Sequence, residues 1–391
     1  MTMLASPTLA APDALLAVDR AIGDLRRGGA IVIRGPRATA ALALAAEMAT
    51  PDNLTLLRRL AGSVPVLALT ARRAAALRPG QLGQAPGGAG IHSIMLPVQA
   101  DAELVRRLAD PTLLASGEAA PGITGPGIEG LAVVAEPPEG CAAAAVELTK
   151  RARLLPAALV ALIDLHEPEE LGRWARLNGL LLVAATDIAA YPRLAAATLE
   201  RVGEARVPLD GAEDARIVAF RPRDGGLEHL AILIGNPAPG GARLTRLHSQ
   251  CFTGDLIGSL RCDCGEQLRG AIVAIAAAGG GVLLYLAQEG RDIGLVNKLR
   301  AYELQDRGFD TMDANEVLGF DADERVYLPA AAMLRLLGIV RVRLLTNNPD
   351  KVAALTHCGI EVAERVPHVF PANPHNAEYL RTKAARGGHL F

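Results

Sequence analysis

Three of the five cysteines in this 391-residue chain lie close together, at Cys251, Cys262 and Cys264. They are separated by ten residues and then by one, in a polar stretch that also contains glycine. Three thiolates suit zinc, and a zinc with only three protein ligands keeps one position open for chemistry. A structural zinc site normally has a fourth ligand, and no further Cys or His follows at zinc-knuckle spacing. The pattern therefore favours a catalytic zinc.

Other interpretations of this cysteine cluster stay open. Closely spaced cysteines can form a disulfide, although Cys262 and Cys264 are poorly placed to bridge one another, and the other two cysteines, Cys141 and Cys358, are distant in sequence. His248 can complete a structural zinc site. The spacing is also compatible with coincidence and no metal at all.

Composition excludes several classes of protein. Lys and Arg number 40 and Asp and Glu 42, giving a net charge of −2, so bulk charge predicts neither a nucleic-acid nor a membrane partner. Five cysteines are too few for a disulfide framework, which predicts a reducing, cytoplasmic location. The N-terminus lacks the basic segment of a signal peptide, and no apolar run approaches the roughly 18 residues of a membrane span.

The length suggests two or three domains, and the two halves differ in texture. The first is rich in Ala, Leu and Arg. Residues 15–27 have helical spacing and end at two glycines, and residues 30–33 and 159–163 are typical of buried strands. We therefore predict an α/β domain over residues 1–200 and a second α/β domain over residues 201–391.

The second half has regular elements divided by dense turn signals. The apolar spacing predicts helices at residues 266–278 and 330–337, each of which ends at glycine. It predicts strands at residues 282–286 and 340–345.

Residues 288–295 follow one of these strands as a polar loop with two glycines. Glycine permits close approach of the backbone to a ligand, and Arg291 can clamp a phosphate or carboxylate with its planar fork. A strand-to-helix turn with an ordinary surface ion pair explains this loop equally well.

Residues 346–351 follow the next predicted strand. Asn348 is a good N-cap residue and Pro349 fits the first helical position. A strand that runs into a helix N-terminus is a ready phosphate site, to which Lys351 adds positive charge. Helix starts of this kind are also common without any ligand.

Residues 321–325 form a charged cluster that includes Asp323 and Arg325. Most such clusters are solvated surface. These two side chains become candidates for catalysis only if the loop folds over the zinc, and Tyr302 would otherwise pass as a half-buried helical residue.

Taken together, these residues resemble the GTP cyclohydrolase II family of riboflavin biosynthesis. The similarity runs from about residue 202 to residue 391. The shared motifs are residues 246–251, 253–255, 259–268, 288–291, 297–298, 300–302, 310–311, 314–315, 318–320, 323–325, 344–349 and 388–390.

The resemblance implies a zinc-dependent hydrolysis of GTP to formate, pyrophosphate and a diaminopyrimidinone ribosylamino 5'-phosphate. Cys251, Cys262 and Cys264 would bind zinc, and magnesium would accompany the triphosphate. Arg246, Leu247, His248, Ser249, Gln250, Gln267, Glu289, Gly290, Arg291, Thr311, Thr346 and Lys351 would bind GTP. The family is typically a homodimer.

The resemblance also implies roles in catalysis. Asp323 would accept a proton, and Tyr302 would assist at the ring. Arg325 corresponds to the family's proposed nucleophile at the α-phosphate, but a protonated arginine is a poor nucleophile, so charge stabilisation is an alternative. Gln250 stands where the family commonly has Glu, and Asp292 where it has Gly or Asn, which affects the expected rate and nucleotide preference.

The first half resembles, more faintly, a dihydroxybutanone-phosphate synthase domain. That family needs an acidic run after the first strand, where residues 34–38 have none. It also needs a Gly-His-Thr-Glu run where residues 139–142 read Glu-Gly-Cys-Ala. The sequence therefore predicts a degenerate, non-catalytic domain. We interpret His92 and His166 as ordinary polar residues.

Three functions remain in view for the whole chain. The leading one is the full cyclohydrolase. A related zinc hydrolase would open the ring but stop at a formamidopyrimidine nucleotide or keep the pyrophosphate, which the presence of Tyr302, Asp323 and Arg325 argues against. A nucleotide-binding regulator without catalysis is the third, and a pure binder gains little from an open zinc site.

Overall fold

A computed structural model describes residues 12–77, 90–113, 132–165, 167–236, 241–386, 388 and 390. The chain divides into two compact units. The first consists of Met1–Tyr191 and Glu316–Phe320, and the second of Pro192–Asn315 and Asp321–Phe391. The first unit thus ends nine residues before the boundary placed from sequence and includes a short segment from the second half. His166 lies outside the described residues.

The described part of the first unit has seven strands. They are β1 (Ile31–Arg34), β2 (Ala40–Ala45), β3 (Val66–Thr70), β4 (Ile91–Met95), β5 (Val133–Glu136), β6 (Ala157–Ile163) and β7 (Leu181–Ala184). In the sheet they lie in the order β5-β4-β3-β6-β2-β1-β7. Neighbours run antiparallel except for β1 and β7, which are parallel.

The helices of this unit are α1 (Pro12–Arg26), α2 (Pro51–Ala61), α3 (Ala71–Leu77), α4 (Ala102–Ala109), α5 (Cys141–Arg151), α6 (Pro168–Leu177) and α7 (Ala185–Ala197), the last of which runs on into the second unit. The apolar face of α1, with Val18 and Leu25, joins Ile31 and Ile33 of β1 in one buried core. Gly28 ends this helical region with a φ of 77°. The predicted helix, its glycine stop and the following strand are therefore confirmed.

The described strands of the second unit are β8 (Glu200–Arg206), β9 (Arg216–Arg221), β10 (His229–Gly235), β11 (Arg243–Ser249), β12 (Gly280–Leu286), β13 (Arg341–Leu345) and β14 (Glu361–Val366). They lie in the order β14-β13-β11-β12-β10-β9-β8. The four strands from β14 to β12 are parallel, and the pairs from β12 to β8 are antiparallel.

The helices here are α8 (Cys264–Ala277), α9 (Leu295–Asp306), α10 (Thr311–Val317), α11 (Leu328–Leu336), α12 (Pro349–His357) and α13 (Ala377–Ala385), and a π-helical turn covers Phe252–Leu256. Successive residues of β12 face opposite sides of the sheet. Leu284 lies in one buried cluster with Met333 of α11, and Leu283 lies in another with Ile275 of α8. Both units confirm the predicted mixed α/β class. No helix in the described ranges is long and apolar enough to cross a bilayer.

Candidate active site

The site of the second unit lies where parallel strands end. In the sheet, β11 is flanked by β13 and β12, and all three run in the same direction. The carboxyl ends of parallel strands meet at one edge, which is where such sheets bind ligands. The loop after β11 carries the cysteines, the loop after β12 carries Arg291, and the loop after β13 leads into α12. This arrangement explains how three segments distant in sequence come together.

The three cysteines form one cluster. The sulfur atoms of Cys251, Cys262 and Cys264 all lie within 4.8 Å of one another, and those of Cys251 and Cys262 are 3.8 Å apart. Two thiolates about 2.3 Å from a tetrahedral zinc are themselves about 3.8 Å apart. The geometry therefore fits zinc, and the described residues contain no other grouping of this kind.

Glycine makes this close approach possible. A Cβ at Gly254 would lie 2.7 Å from the Sγ of Cys262 and 3.1 Å from the Sγ of Cys251. A Cβ at Gly265, in the first turn of α8, would lie 2.3 Å from the carbonyl oxygen of Gly254. Real Cβ atoms do not approach so closely, so both positions require glycine.

The three sulfurs differ in their electrostatic surroundings. Hydrogen bonds from Cys262 and Cys264, with Lys298 nearby, lower the pKa of Cys251. The hydrogen bond to Cys251 raises the pKa of Cys262 to about 11, and the same neighbour raises the pKa of Cys264. Of the three sulfurs, Cys251 is therefore the one whose surroundings most favour the thiolate. A thiophilic cation that displaces the remaining protons can bind all three.

Lys298 holds the cysteine cluster in place through hydrogen bonds. Its Nζ donates hydrogen bonds to the Sγ of Cys251 at 3.0 Å, to Thr253 Oγ1 at 2.9 Å and to Glu289 Oε1 at 2.9 Å. Burial would lower the pKa of Lys298, but the bonds to Cys251 and Glu289 raise it, so the ammonium is kept. Glu289 also accepts from the amide of Phe252 at 2.6 Å. This carboxylate fixes the lysine and the cysteine loop.

His248 is engaged outside the sulfur cluster. Its Nε2 lies 3.0 Å from Asp255 Oδ1, and Asp255 Oδ2 accepts from the amide of Cys251 and from the Tyr285 hydroxyl, both at 2.9 Å. Burial lowers the pKa of His248, against the opposing effect of Asp255. The grouping of possible ligand atoms does not include His248, so the arrangement favours three protein ligands over four.

A cavity opens beside the sulfur atoms. Its cationic lining consists of Arg246, Arg261, Arg291, Lys298, Arg325 and Lys351. The described lining residues include no Asp or Glu. Six positive side chains around one cavity attract a polyanion, although Arg261, Lys298 and Arg325 are each ion-paired with a carboxylate outside the lining.

Arg246 and Lys351 are, like Lys298, buried cations of this lining. Arg246 Nη1 donates to the carbonyl of Leu345 at 2.9 Å, and its Nη2 is hydrogen-bonded to Gln267. Burial lowers the pKa of Arg246 to about 10. Lys351 Nζ donates to the carbonyl of Leu247 at 3.0 Å. Both positive charges are therefore fixed in place before any ligand binds.

The N-terminus of α12 is built as the sequence predicted. Asn348 is the N-cap, its side chain accepts from the amide of Asp350, and Pro349 is the first helical residue. Thr346 Oγ1 accepts from the amide of Asn348 at 3.1 Å. Thr346, Asn348 and Lys351 all line the cavity, so the positive end of this helix faces it.

The loop after β12 holds a strained backbone. Gly290, Arg291 and Asp292 have φ values of 63°, 61° and 77°, so three consecutive residues are left-handed. This conformation is routine for glycine and costly for other residues. Arg291 Nη1 donates to the carbonyl of Ala322 at 2.8 Å, which ties this loop to residues 321–325.

Asp323 and Arg325 form an ion pair. Arg325 Nε donates to Asp323 Oδ1 at 2.7 Å and its Nη2 to Oδ2. Burial would raise the pKa of Asp323, but the hydrogen bonds and charge of Arg325 lower it. Tyr302 lines the cavity, with the Arg261 guanidinium 4.9 Å from its ring centre, and burial raises the pKa of Tyr302 to about 12. The phenol is therefore neutral at physiological pH.

Comparison with known proteins now identifies the family. The family model described as GTP cyclohydrolase II matches residues 200–367. A curated GTP cyclohydrolase-2 of Azospirillum brasilense is 55% identical over 378 residues, 97% of this chain and 94% of that protein. This chain belongs to the GTP cyclohydrolase II family. A curated GTP cyclohydrolase-2 of Cronobacter sakazakii is 53% identical over 193 residues, 49% of this chain and 98% of that protein.

Two solved structures are also similar to the chain. One is a two-domain 3,4-dihydroxy-2-butanone 4-phosphate synthase from A. baumannii, which covers 90% of this chain and 99% of its own at 17% identity and a TM-score of 0.36. The other, a cation-free 3,4-dihydroxy-2-butanone 4-phosphate synthase, covers 45% of this chain and 96% of its own at 22% identity and a TM-score of 0.35.

Most site residues suggested by the family resemblance lie around one cavity in this family member. Lining it are Arg246, His248, Ser249, Gln250, Cys251, Cys262, Cys264, Gln267, Gly290, Arg291, Tyr302, Thr311, Arg325, Thr346 and Lys351. Leu247, Glu289 and Asp323 are not among the lining residues. Leu247 and Glu289 are buried. Asp323 accepts a hydrogen bond from Arg325, which does line the cavity.

The structure adds residues to which the sequence assigned no role. Arg261 and Lys298 line the cavity, together with Asn315, Asn347 and Tyr379. All of these except Tyr379 stood inside motifs shared with the family, and that was the signal that could have identified them. The contacts that Lys298 and Arg261 make depend on packing between α9 and the cysteine loop, which no local pattern shows.

Proposed function

We propose that this chain hydrolyses GTP, with loss of C8 as formate and of the terminal phosphates as pyrophosphate, as the first step of riboflavin biosynthesis. The observation that carries the proposal is the direct contact between a three-sulfur cluster and a cavity lined by six cations. Neither feature alone identifies the reaction. Together they support a metal-binding group beside a site for a polyanion, which is what ring opening of a nucleoside triphosphate needs.

The metal is proposed to be zinc, bound by Cys251, Cys262 and Cys264. When bound there, zinc supplies a water whose pKa is low enough for attack on C8 of the guanine ring. Hydrogen bonds from Cys262 and Cys264 favour the thiolate form of Cys251, and Lys298 adds a further hydrogen bond at 3.0 Å. Gln250, where the family commonly has Glu, leaves this region with one negative charge fewer.

The triphosphate is proposed to bind along the cationic side of the cavity. Lys351 and the first amides of α12 offer positive charge and backbone donors to phosphate oxygens. Arg246 and Arg291 add two guanidinium groups, of which Arg246 is already oriented by Gln267. Magnesium on the triphosphate would neutralise part of the remaining charge. Gln267, Ser249 and Thr311 supply neutral hydrogen-bonding groups nearby.

Proton transfer is assigned to Asp323. Its lowered pKa keeps it ionised at neutral pH, so it can accept a proton although it is a weak base. Arg325 is proposed to stabilise charge at the α-phosphate rather than to act as a nucleophile. Its Nε and Nη2 both donate hydrogen bonds to Asp323. The pKa of Arg325 is raised, because the effects of Tyr327 and Asp323 outweigh that of burial. A guanidinium held in this state does not act as a nucleophile. Tyr302 can donate a hydrogen bond to the ring.

The first unit is proposed to be non-catalytic. The whole protein is proposed to be a homodimer, for which the family resemblance is the support and light scattering is the test. Three thiols that must stay reduced to bind metal support a cytoplasmic location.

The test is product analysis on zinc-loaded protein with GTP and magnesium. Formate, pyrophosphate and the pyrimidine product are quantified separately, and equal amounts of all three are expected. Formate without pyrophosphate would move the chain to ring opening alone. Bound zinc and bound GTP without any product would contradict an enzyme and favour a nucleotide-binding regulator.

A further inference from the structure

A short segment of the second half belongs to the first unit. Glu316–Phe320 is grouped with the first unit, whereas the chain on both sides of it belongs to the second. Upstream, Thr311 and Asn315 of α10 line the cavity. Downstream, Asp323 follows Phe320 by three residues. The segment therefore connects α10 to Asp323 in the proposed active site, but it packs against residues of the first unit.

Two buried side chains of the first unit hold this segment by its backbone. Thr70, at the end of β3, donates its hydroxyl to the carbonyl of Gly319 at 2.7 Å. Arg73, in α3, donates Nη1 to the carbonyl of Val317 at 3.1 Å and Nε to the carbonyl of Leu108 at 2.9 Å. Val317 is the last residue of α10, where carbonyls lack partners within the helix and favour a cation.

The packing around these bonds is tight. Gly319 has a φ of 95°, and a Cβ there would lie 2.9 Å from Pro156 Cγ, 3.0 Å from Thr70 Oγ1 and 3.1 Å from Arg73 Cβ. Phe320 is 1% exposed. Arg72 forms an ion pair with Glu316 at 2.5 Å. Hydrogen bonds, van der Waals contacts and an ion pair thus fix the backbone conformation of this segment.

A fixed segment constrains the residues joined to it. Three residues of extended chain span at most about 10 Å, so the position of Phe320 limits where Asp323 can lie. Arg325 is bound to Asp323 and therefore follows it. At the other end, the last residues of α10 are held by these contacts, and the first residue of α10, Thr311, lines the cavity. Misplacing a catalytic group by about 1 Å can lower a rate by about a hundredfold.

We propose that Thr70 and Arg73 of the first unit are positioning residues for Asp323, Arg325 and Thr311. The first unit then orders the chain segment that leads to these residues, although it contributes no group to the chemistry. This inference rests on the proposed function for its kinetic consequence, but the ordering of residues 316–325 can be measured without turnover.

The test compares three variants of the full-length, zinc-loaded protein. Thr70→Val keeps the shape of the side chain and removes the hydroxyl, and Thr70→Ser restores the donor. Thr149→Val is the matched control, because Thr149 is also fully buried in the first unit and donates its hydroxyl to the carbonyl of Val146 at 2.8 Å. Each variant is measured for kcat and KM with GTP, for zinc content, and for hydrogen–deuterium exchange over residues 316–326.

The expected result for Thr70→Val is a fall of about tenfold in kcat, with KM changed less than about twofold, zinc content unchanged and faster exchange in residues 316–326. Thr70→Ser and Thr149→Val should resemble the wild type in all four. Unchanged exchange and kcat in Thr70→Val would overturn the proposal, as would an equal loss in Thr149→Val. If the wild type does not turn over GTP, the proposed function fails and exchange alone decides the positioning role. If Thr70→Val does not fold, Arg73→Lys is measured in the same way.

Discussion

Each unit places a buried cysteine near a loop with two consecutive non-glycine residues in the left-handed region. In the first unit these are Arg37 and Ala38, with φ values of 52° and 56°, in the turn between β1 and β2. Thr39, next in that turn, lies 3.9 Å from the Sγ of Cys141. In the second unit they are Arg291 and Asp292. Similar backbone devices are thus used in both halves.

The two cysteines nevertheless have opposite environments. Burial raises the pKa of Cys141, against a smaller effect of Thr39, and a Cβ at Gly35 would lie 2.7 Å from its sulfur. This thiol is neutral and enclosed. Cys251 instead has Cys262, Cys264 and Lys298 beside it and lines an open cavity. Strands and strained turns are present in both units, so they do not by themselves create a functional site. The side chains that the loops carry decide whether a site forms.

Removing one sulfur from the cluster should have the largest effect. We expect Cys262→Ser to lose its zinc and to lower kcat by more than about a thousandfold, because two thiolates hold zinc poorly and the activated water is lost. Metal analysis and product assays measure this. Cys141→Ser in the first unit is the control and should keep both zinc and turnover. Equal zinc loss in the two variants would contradict the assignment.

Removing a buried positive charge from the cavity should have the second largest effect. In Lys351→Met the side chain keeps its length and loses its charge, and we expect kcat/KM for GTP to fall about 30-fold to 100-fold, or about 2–3 kcal/mol for a hydrogen bond to a charged group. Zinc content should not change. Lys150→Met, a half-buried lysine of the first unit, should stay within twofold of the wild type. Unchanged kinetics in Lys351→Met would remove α12 from the triphosphate site.

The third prediction concerns stability and pH in the second unit. Burial and the charge of Arg246 lower the pKa of His368 to about 4 from 6.5. Between these values the unfolded chain binds more protons than the folded one, so stability is full above pH 6.5 and falls as pH decreases towards 4. We expect a loss of about 3 kcal/mol in the free energy of unfolding over this window. The substitution His368→Gln should largely abolish this loss, which urea unfolding at several pH values measures. The exposed His357→Gln is the control, and an unchanged slope in His368→Gln would refute the account.

We expect the smallest effects from substitutions in the two strained turns. Glycine adopts a positive φ without a Cβ clash but costs more entropy on folding. We expect Ala38→Gly and Asp292→Gly each to raise the free energy of unfolding by about 0.5–1 kcal/mol. Only Asp292→Gly should also change turnover, because Arg291 lies next to it in the cavity wall. A change in turnover for Ala38→Gly would break the distinction between the two turns.

Much of the second unit could be predicted from the sequence. The spacing of Cys251, Cys262 and Cys264 indicated one cluster, and Asn348 with Pro349 indicated the start of α12. These predictions succeeded because caps, turns and apolar periods are local physical preferences. The convergence of the loops follows from β11, β12 and β13 being parallel neighbours, which local patterns do not contain.

The features that were missed depend on long-range packing. Strand β2, at Ala40–Ala45, is buried throughout and so lacks the alternation that marks a half-exposed strand. Thr70 and Gly319 are 249 residues apart in sequence. Glu289 was assigned to GTP by resemblance. That role stays a prediction, while its contacts with Lys298 and Phe252 show a function inside the protein.

Zinc X-ray absorption on the wild-type protein tests the central claim most directly. The account predicts one zinc per chain with three sulfur ligands at about 2.3 Å and one oxygen or nitrogen ligand, since three cysteines leave one position open. Addition of GTP should change the light ligand and leave the three sulfurs in place. Four sulfur ligands, or a spectrum insensitive to GTP, would show a closed structural site and contradict the account.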